Sequence, residues 1–348
     1  MKEALYYEKL QDGKVQCELC PHRCVISPAH RGICGVRENR DGRLAALNYR
    51  LFSSVSVDPV EKKPLYHFFP GSRILSLGSF GCNLQCKFCQ NHEISQIQAG
   101  TLLRGTRHEP AAIAAQSAKT PQNIGVAYTY NEPVVSIETV TETARLVHAK
   151  GQKNVLVTNG YITPAPLEEL LLHIDAFNVD LKAFDEHFYH RHTASRLAPV
   201  KETLVSVRKA GKHLEITNLV IPGLNDDEGH FINMVKWIAI ELGRETPLHL
   251  SRYFPRHHLT IPPTPEKTLL HLFEIARFHL DYVYIGNMSH ERENTFCPKC
   301  RAVAIRRRGF SVTEFNLIRR KDGFFCKECN EKIPIAGAKW VNFKDFKN

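Results

Sequence analysis

All eleven cysteines of this 348-residue chain fall into three blocks, and none lies between them. Cys17, Cys20, Cys24 and Cys34 form the first block; Cys82, Cys86 and Cys89 the second; Cys297, Cys300, Cys326 and Cys329 the third. Short C-x2-C spacings in a chain with no secretory signal read as metal ligands rather than disulfides. The first fifteen residues mix charges with tyrosines and have no apolar h-region, and no apolar run approaches the length of a membrane span. The expected location is the cytoplasm, with no membrane partner.

The chain is long enough for one large domain with appendages, or for two ordinary domains. Hydrophobic residues make up 43% and charged residues 24%, the balance of a soluble globular protein. From Arg73 onward short apolar runs alternate with helical patterns. Strands are expected at Ile74 to Gly78, Ile124 to Tyr130, Val155 to Thr158, Ala176 to Leu181, Leu214 to Ile221, Leu248 to Phe254 and Tyr282 to Ile285. Helices are expected at Ala111 to Lys119, Ile137 to Lys150, Pro166 to His173, Lys201 to Ala210, Asp227 to Leu242 and Pro265 to Leu280. Near-continuous apolar strands alternating with helices imply a parallel sheet covered by helices. No G-x-G-x-x-G follows a strand, and six or seven βα units suit a partial (β/α) barrel of the TIM type. Three segments are expected: a cysteine-rich N-terminal segment (1–70), the partial barrel (71–290) and a small C-terminal module (291–348).

The second cysteine block, Gly81-Cys82-Asn-Leu-Gln-Cys86-Lys-Phe88-Cys89, follows the first barrel strand directly. A barrel places its active-site loops at that end of its strands. Three thiolates are one short of the usual four around an iron–sulfur cube, so one iron keeps an open position. The alternative is a closed zinc site with His92 as the near fourth ligand. C-x3-C-x-aromatic-C is the hallmark of the radical S-adenosylmethionine (SAM) superfamily, which the chain resembles at Cys82, Cys86, Phe88 and Cys89. Three further stretches narrow the resemblance: Asp58-Pro-Val-Glu-Lys-Lys-Pro-Leu-Tyr-His-Phe68, Cys89-Gln-Asn91 and Tyr284 to Asn287. These are similar to the "AmmeMemoRadiSam" radical SAM family, related to pyruvate formate-lyase activating enzymes. The resemblance implies a 4Fe–4S cluster, SAM as co-substrate, and an electron donor of the flavodoxin or ferredoxin kind. It also implies Memo-like and AMMECR-like proteins as partners.

Polar residues recur at the expected strand ends. Asn131-Glu132-Pro133 stands where the resembled superfamily has a Gly-Gly-Glu-Pro-like stretch that receives the amino group of SAM; the glycines are missing here. Asn159, before Gly160, has donor and acceptor capacity for a ribose or a carboxylate, although Asn-Gly also suits a plain turn. Asp180 and Lys182 lie on the same side of one strand. Facing a barrel lumen, they would pair with each other or with a zwitterionic ligand, and the same Asp-x-Lys occurs in glycyl-radical-enzyme activases. Asn218 to Asn225 is similar to the activase stretch whose apolar side chains line the adenine pocket, which points to Leu219, Val220 and Ile221. In His249-Leu-Ser-Arg252-Tyr-Phe-Pro-Arg-His257, any of the three numbered residues could stand near SAM. Tyr284 to Asn287 would help close the substrate side.

Cys297-x2-Cys300 and Cys326-x2-Cys329 flank a basic, strand-like stretch, the arrangement of a zinc ribbon. Iron in a rubredoxin-like site would use the same geometry. A module this small needs its metal to fold. Cys17-x2-Cys20-x3-Cys24-x9-Cys34, with His22 as a spare, fits either zinc or an auxiliary cluster. The net charge of +10 concentrates late, in Arg306-Arg307-Arg308 and Arg319-Arg320-Lys321, so RNA joins a protein partner and a small molecule as a candidate substrate. The expected function is reductive cleavage of SAM to a 5′-deoxyadenosyl radical that abstracts hydrogen from one of these. The alternative is an iron–sulfur and zinc module that binds nucleic acid without turnover.

Overall fold

The structure, a computed structural model, describes residues 2–338. An antiparallel edge strand β1 (Ser54–Pro59) opens an eight-stranded sheet. It is followed by β2 (Arg73–Gly78), β3 (Asn123–Tyr128), β4 (Lys153–Thr158), β5 (Ala176–Asp180), β6 (His213–Val220), β7 (Leu248–Arg252) and β8 (Val283–Gly286). The strands stand in the sheet in sequence order, and β2 to β8 are all parallel. Among the described residues β1 and β8 do not pair, so the barrel is partial and open along one seam.

Helices α1 (Pro110–Lys119), α2 (Ile137–Ala149), α3 (Pro164–His173), α4 (Leu197–Lys209), α5 (Glu228–Glu241) and α6 (Glu266–His279) make the crossovers between the parallel strands. The local chemistry explains their starts. Proline occupies the first turn of α1 and α3, where its missing N–H costs nothing. The Asp227 carboxylate caps α5 by accepting from His230 N at 2.9 Å. Strand β3, Asn-Ile-Gly-Val-Ala-Tyr, is buried at all six positions. Such continuous burial is what a sheet covered by helices on one side and filled by side chains on the other requires.

Expected and observed boundaries differ by a few residues, as with β6, expected at Leu214 to Ile221 and found at His213–Val220. A larger difference is β1. Ser54–Pro59 belongs to the stretch read as the N-terminal segment, yet it pairs along its whole length with β2, Ser54 opposite Gly78 and Pro59 opposite Arg73. Its alternation is weak because the strand is mostly half-buried, so no period-2 pattern marked it.

The C-terminal module is not a free basic surface. Arg307, at the centre of its first basic run, is fully buried. Its Nη2 donates to Tyr66 O at 2.7 Å, and its guanidinium lies 4.2 Å from the Tyr66 ring centroid. Arg306 pairs with Glu314 at 2.8 Å. The run read as a nucleic-acid contact is therefore partly spent on docking the module to the barrel. Tyr66, Tyr282 and Tyr284 join Cys297, Ile305 and Phe315 in one apolar cluster that closes the joint.

Glu61 faces Arg307 at 3.8 Å, and its Oε1 accepts from Gly71 N at 2.8 Å. Burial raises its carboxyl from 4.5 to about 7, with Arg307 opposing. A carboxyl raised on folding stabilises fully below its unfolded value, and that stability is lost as pH rises through the folded value. The stability difference between wild type and Glu61→Gln is therefore expected to shrink by about 3 kcal/mol between pH 4.5 and 8. Denaturant titrations of both proteins across that range check it; a flat difference would contradict it.

Candidate active site

The loop after β2 carries Cys82, Cys86 and Cys89 to the rim of a cavity of about 260 Å³. Glu132 beyond β3, Asn159 beyond β4, and Asp180 and Lys182 at the end of β5 line the same cavity. All lie at the C-terminal ends of barrel strands, where the topology leaves side chains free of the sheet.

The cysteine loop is held in shape by groups from neighbouring strand ends. Asn131 Oδ1 accepts from Ser79 N, and its Nδ2 donates to Gly81 O, both at 2.8 Å. Asn159 Nδ2 donates to Asn83 Oδ1 at 2.9 Å and to Cys82 Sγ at 3.6 Å, while its Oδ1 accepts from Tyr161 N at 2.9 Å. Both amides are thus engaged within the protein. They position the cysteine loop and leave little capacity for a ligand.

Glu132 is buried. Its Oε1 accepts from Thr158 Oγ1 at 2.7 Å and Val134 N at 3.1 Å, and its Oε2 accepts from Asn159 N at 2.8 Å. Oε2 therefore keeps acceptor capacity for one more donor. Burial raises its carboxyl to about 7 against these hydrogen bonds. A cationic partner would return it to the anion.

Lys182 Nζ donates to Asp180 Oδ2 at 2.8 Å and lies 5.9 Å from the Phe88 ring centroid. Burial works against its charge, but Asp180 outweighs that and holds the ammonium charged. Burial also pushes the Cys86 thiol up to about 12, with Lys182 pulling the other way. Cys82 is held well above the ordinary thiol range by burial and by Glu132. These thiols stay protonated until a metal displaces their protons.

The remaining expected residues lie elsewhere. Val220 is fully buried at the end of β6; its carbonyl accepts from Thr264 Oγ1 at 2.6 Å, and it is not among the residues that line the cavity. Arg252 Nε donates to Thr264 O at 2.9 Å. His257 stacks on His92 with ring centroids 4.4 Å apart, and both line a separate depression beyond the cysteine loop. His249 is buried, its Nε2 2.7 Å from Glu215 Oε2.

His249 borders a second cavity of about 480 Å³ with Glu61, Tyr66, Asn287 and Phe310. Asn287 follows β8 and Lys62 follows β1, so this cavity stands at the open seam. Lys62 lines both cavities.

Sequence reasoning missed the contribution of β1. Lys63 Nζ is buried against Asp58 Oδ2 at 2.8 Å and lies 4.3 Å from the Tyr130 ring centroid. Burial lowers this ammonium to about 8, with Asp58 opposing. Lys62 Nζ reaches Asp58 Oδ1 at 2.9 Å. The Asp58 to Lys63 stretch was visible as a family marker. Its place beside the cysteines depends on the antiparallel pairing of β1, which no local pattern announces.

Among the described residues, the C-terminal four are the only group of three or more cysteine, histidine or acidic side chains whose ligand atoms all lie within 4.8 Å of one another. Cys297 Sγ is 3.5 Å from Cys329 Sγ, and Cys300 Sγ is 3.6 Å from Cys326 Sγ. That is the spacing of thiolates around one tetrahedral ion.

Residues 77–235 match the family model of the radical SAM superfamily. The chain belongs to the radical SAM superfamily. It is 42% identical over 345 residues to the uncharacterized protein MJ0808 of Methanocaldococcus jannaschii, covering 97% of this chain and all of that one. Among solved structures it is similar to a domain of a pyruvate-formate lyase-activating enzyme from Bacteroides vulgatus, with 19% identity and a TM-score of 0.42 over 47% of this chain and 99% of that one. It is also similar to Streptococcus suis SuiB bound to SAM, with 14% identity and a TM-score of 0.48 over 59% of this chain and 48% of that one.

Membership of that superfamily implies an iron–sulfur cluster and SAM, and enzymes of this kind generally need a reductant. The residues present fit such a cluster. Three thiols from one loop line one cavity, and they are set wider than the C-terminal four, as a cube with a separate iron for each thiolate demands. No helix among the described residues is long and apolar enough to cross a membrane.

Proposed function

We propose that Cys82, Cys86 and Cys89 hold a 4Fe–4S cluster whose open iron chelates SAM. The observation that carries this is the convergence of the three thiols, Glu132, Asp180 and Lys182 on one cavity. When bound, the cluster supplies the electron that splits SAM into methionine and a 5′-deoxyadenosyl radical, which takes a hydrogen atom from the substrate. The protein's own residues bind and orient. Oε2 of Glu132 accepts from the amino group of SAM, and Lys182, held charged by Asp180, meets its carboxylate. Asn131 and Asn159 fix the loop so that the thiols do not wander. No general base is needed, so the carboxylates bind and do not transfer protons.

The second cavity, joined to the first through Lys62, is the substrate side. Its volume lies within the range of small-molecule sites. A small molecule, or one residue of a protein partner, fits it better than RNA, because the basic run that suggested RNA is partly buried through Arg307. Membership of the AmmeMemoRadiSam family, Memo-like and AMMECR-like partners, a flavodoxin- or ferredoxin-like donor and a cytoplasmic location complete the proposal. The three functional units are residues 1–70, 71–290 and 291–348, the first lending β1 to the second. Zinc is the metal proposed for Cys297, Cys300, Cys326 and Cys329.

The test is anaerobic reconstitution with iron and sulfide, followed by SAM and dithionite. 5′-Deoxyadenosine and methionine in equal amounts are expected. A protein that carries its full cube and binds SAM, yet releases neither product with any candidate substrate, would contradict the proposal.

A further inference from the structure

Cys17 ends the strand Val15–Cys17 and Cys24 precedes the strand Val25–Ile26; the two strands pair antiparallel, Val15 opposite Ile26. Cys17 N donates to Cys24 O at 2.9 Å and Arg23 N to Cys20 O at 3.0 Å, so Cys20 sits in the tight loop between them. Cys34 rides on the turn closed by Gly35 N donating to Gly32 O at 2.9 Å. A Cβ on Gly32 would stand 3.6 Å from Cys24 Sγ, which brings that turn against the hairpin. Cys17, Cys20 and Cys34 are buried and Cys24 is partly so. Three buried thiols and one half-buried thiol thus sit on one small scaffold.

Their spacing separates the two metals that the sequence left open. Zinc holds thiolates at about 2.3 Å, so two sulfurs on one ion lie within about 4.6 Å of each other. The C-terminal four lie within 4.8 Å of one another, close to that limit; among the described residues no three of Cys17, Cys20, Cys24 and Cys34 do. Cys82, Cys86 and Cys89 share this wider setting. One chain therefore holds a single-ion set and two wider ones.

Further contacts place the set in the molecule. Arg37 is fully buried; its Nη1 lies 3.9 Å from Cys17 Sγ and donates to Leu5 O at 2.7 Å, and it pairs with buried Glu138. A buried cation beside these thiols offsets the net negative charge that four thiolates bring to any metal centre held there. The set also abuts the active-site loop. Gly81 has φ +89°, and a Cβ there would stand 2.7 Å from Cys34 O. His22 Nε2 is 2.7 Å from Asn83 O, so this ring is engaged with the active-site loop.

We infer that Cys17, Cys20, Cys24 and Cys34 hold a second 4Fe–4S cluster, packed against the loop that carries the first. The inference rests on Cys82, Cys86 and Cys89 as ligands of that first cluster. With four thiolates every iron is protein-ligated and none is open to SAM or substrate. Its chemistry is one-electron carriage. A flavodoxin- or ferredoxin-class donor is oxidised by one electron, the second cluster is reduced by one, and the same electron passes to the first, with no bond made or broken.

The experiment is metal and sulfide analysis of anaerobically reconstituted full-length protein. Wild type is expected to hold about eight irons, eight sulfides and one zinc. The triple variant Cys82→Ala/Cys86→Ala/Cys89→Ala should keep half the iron and sulfide, with the Mössbauer signature of a cube. Because this variant leaves the N-terminal block intact, misfolding of that block does not confuse the result. Wild type with half the expected iron and two zincs, and a triple variant without iron, would overturn the second cluster while sparing the first. A triple variant with all of its iron would instead remove the first assignment, and the inference with it.

Discussion

Cys86→Ala is expected to reduce 5′-deoxyadenosine formation to background while the chain remains folded. Cys86 is buried, and its replacement removes one sulfur from an apolar wall shared with Leu84 and Phe88. The stability cost of that small deletion is about 1 kcal/mol. The chemical cost is far larger. Two thiolates do not hold a cube with one open iron, so the electron cannot reach SAM. Circular dichroism and a thermal melt report the fold, iron and sulfide counts report the cube, and chromatography reports the nucleoside. Normal 5′-deoxyadenosine from the folded variant would refute the active-site assignment. Cys89→Ala should behave alike, since Cys89 lines the same cavity.

Lys182→Met is expected to weaken SAM binding roughly a hundredfold or more, about 3 kcal/mol. Methionine keeps most of the stem but removes the charge. Asp180, with about a third of its side chain exposed, then faces the cavity alone and repels a carboxylate ligand. Asp180→Asn should weaken binding less, because it leaves the ammonium in place. If the pair only braced the barrel, both variants would lower the melting temperature and leave SAM affinity unchanged. Equilibrium dialysis on the reconstituted proteins, read beside thermal melts, separates the two outcomes.

Much of the catalytic half of this molecule could be read locally. Cys82, Cys86 and Cys89 lie within eight consecutive residues, so their convergence needs only a loop. Asp180 and Lys182 are two apart on one strand, and strand alternation alone puts them on the same side. Glu132, Asn131 and Asn159 follow strands whose apolar runs announce them. What could not be read was how their polar atoms are spent. Asn131 and Asn159, expected to meet SAM, line the cavity and also spend their amides on the cysteine loop, because an amide withdrawn from water takes the nearest backbone or side-chain partner. Val220 was expected near adenine but lies outside the cavity, since a buried strand residue carries no mark of which surface it faces. Arg307 was read as part of a basic run that could meet RNA, and only the docked module shows its desolvated pairing with Tyr66 and Glu61.

The sequence by itself determined the βα alternation, the three cysteine blocks and the grouping of three thiols on the loop after β2. These depend on periodicities and spacings within a few tens of residues. The tertiary structure decided the rest. It carried Lys62 and Lys63 to the candidate site through an antiparallel edge strand, and it docked the C-terminal module on the barrel. It also set one cysteine quartet at the spacing of a single ion and the other wider. Thiol separation, desolvation and long-range pairing depend on segments tens to hundreds of residues apart. Their energies exist only once the chain has brought those segments together.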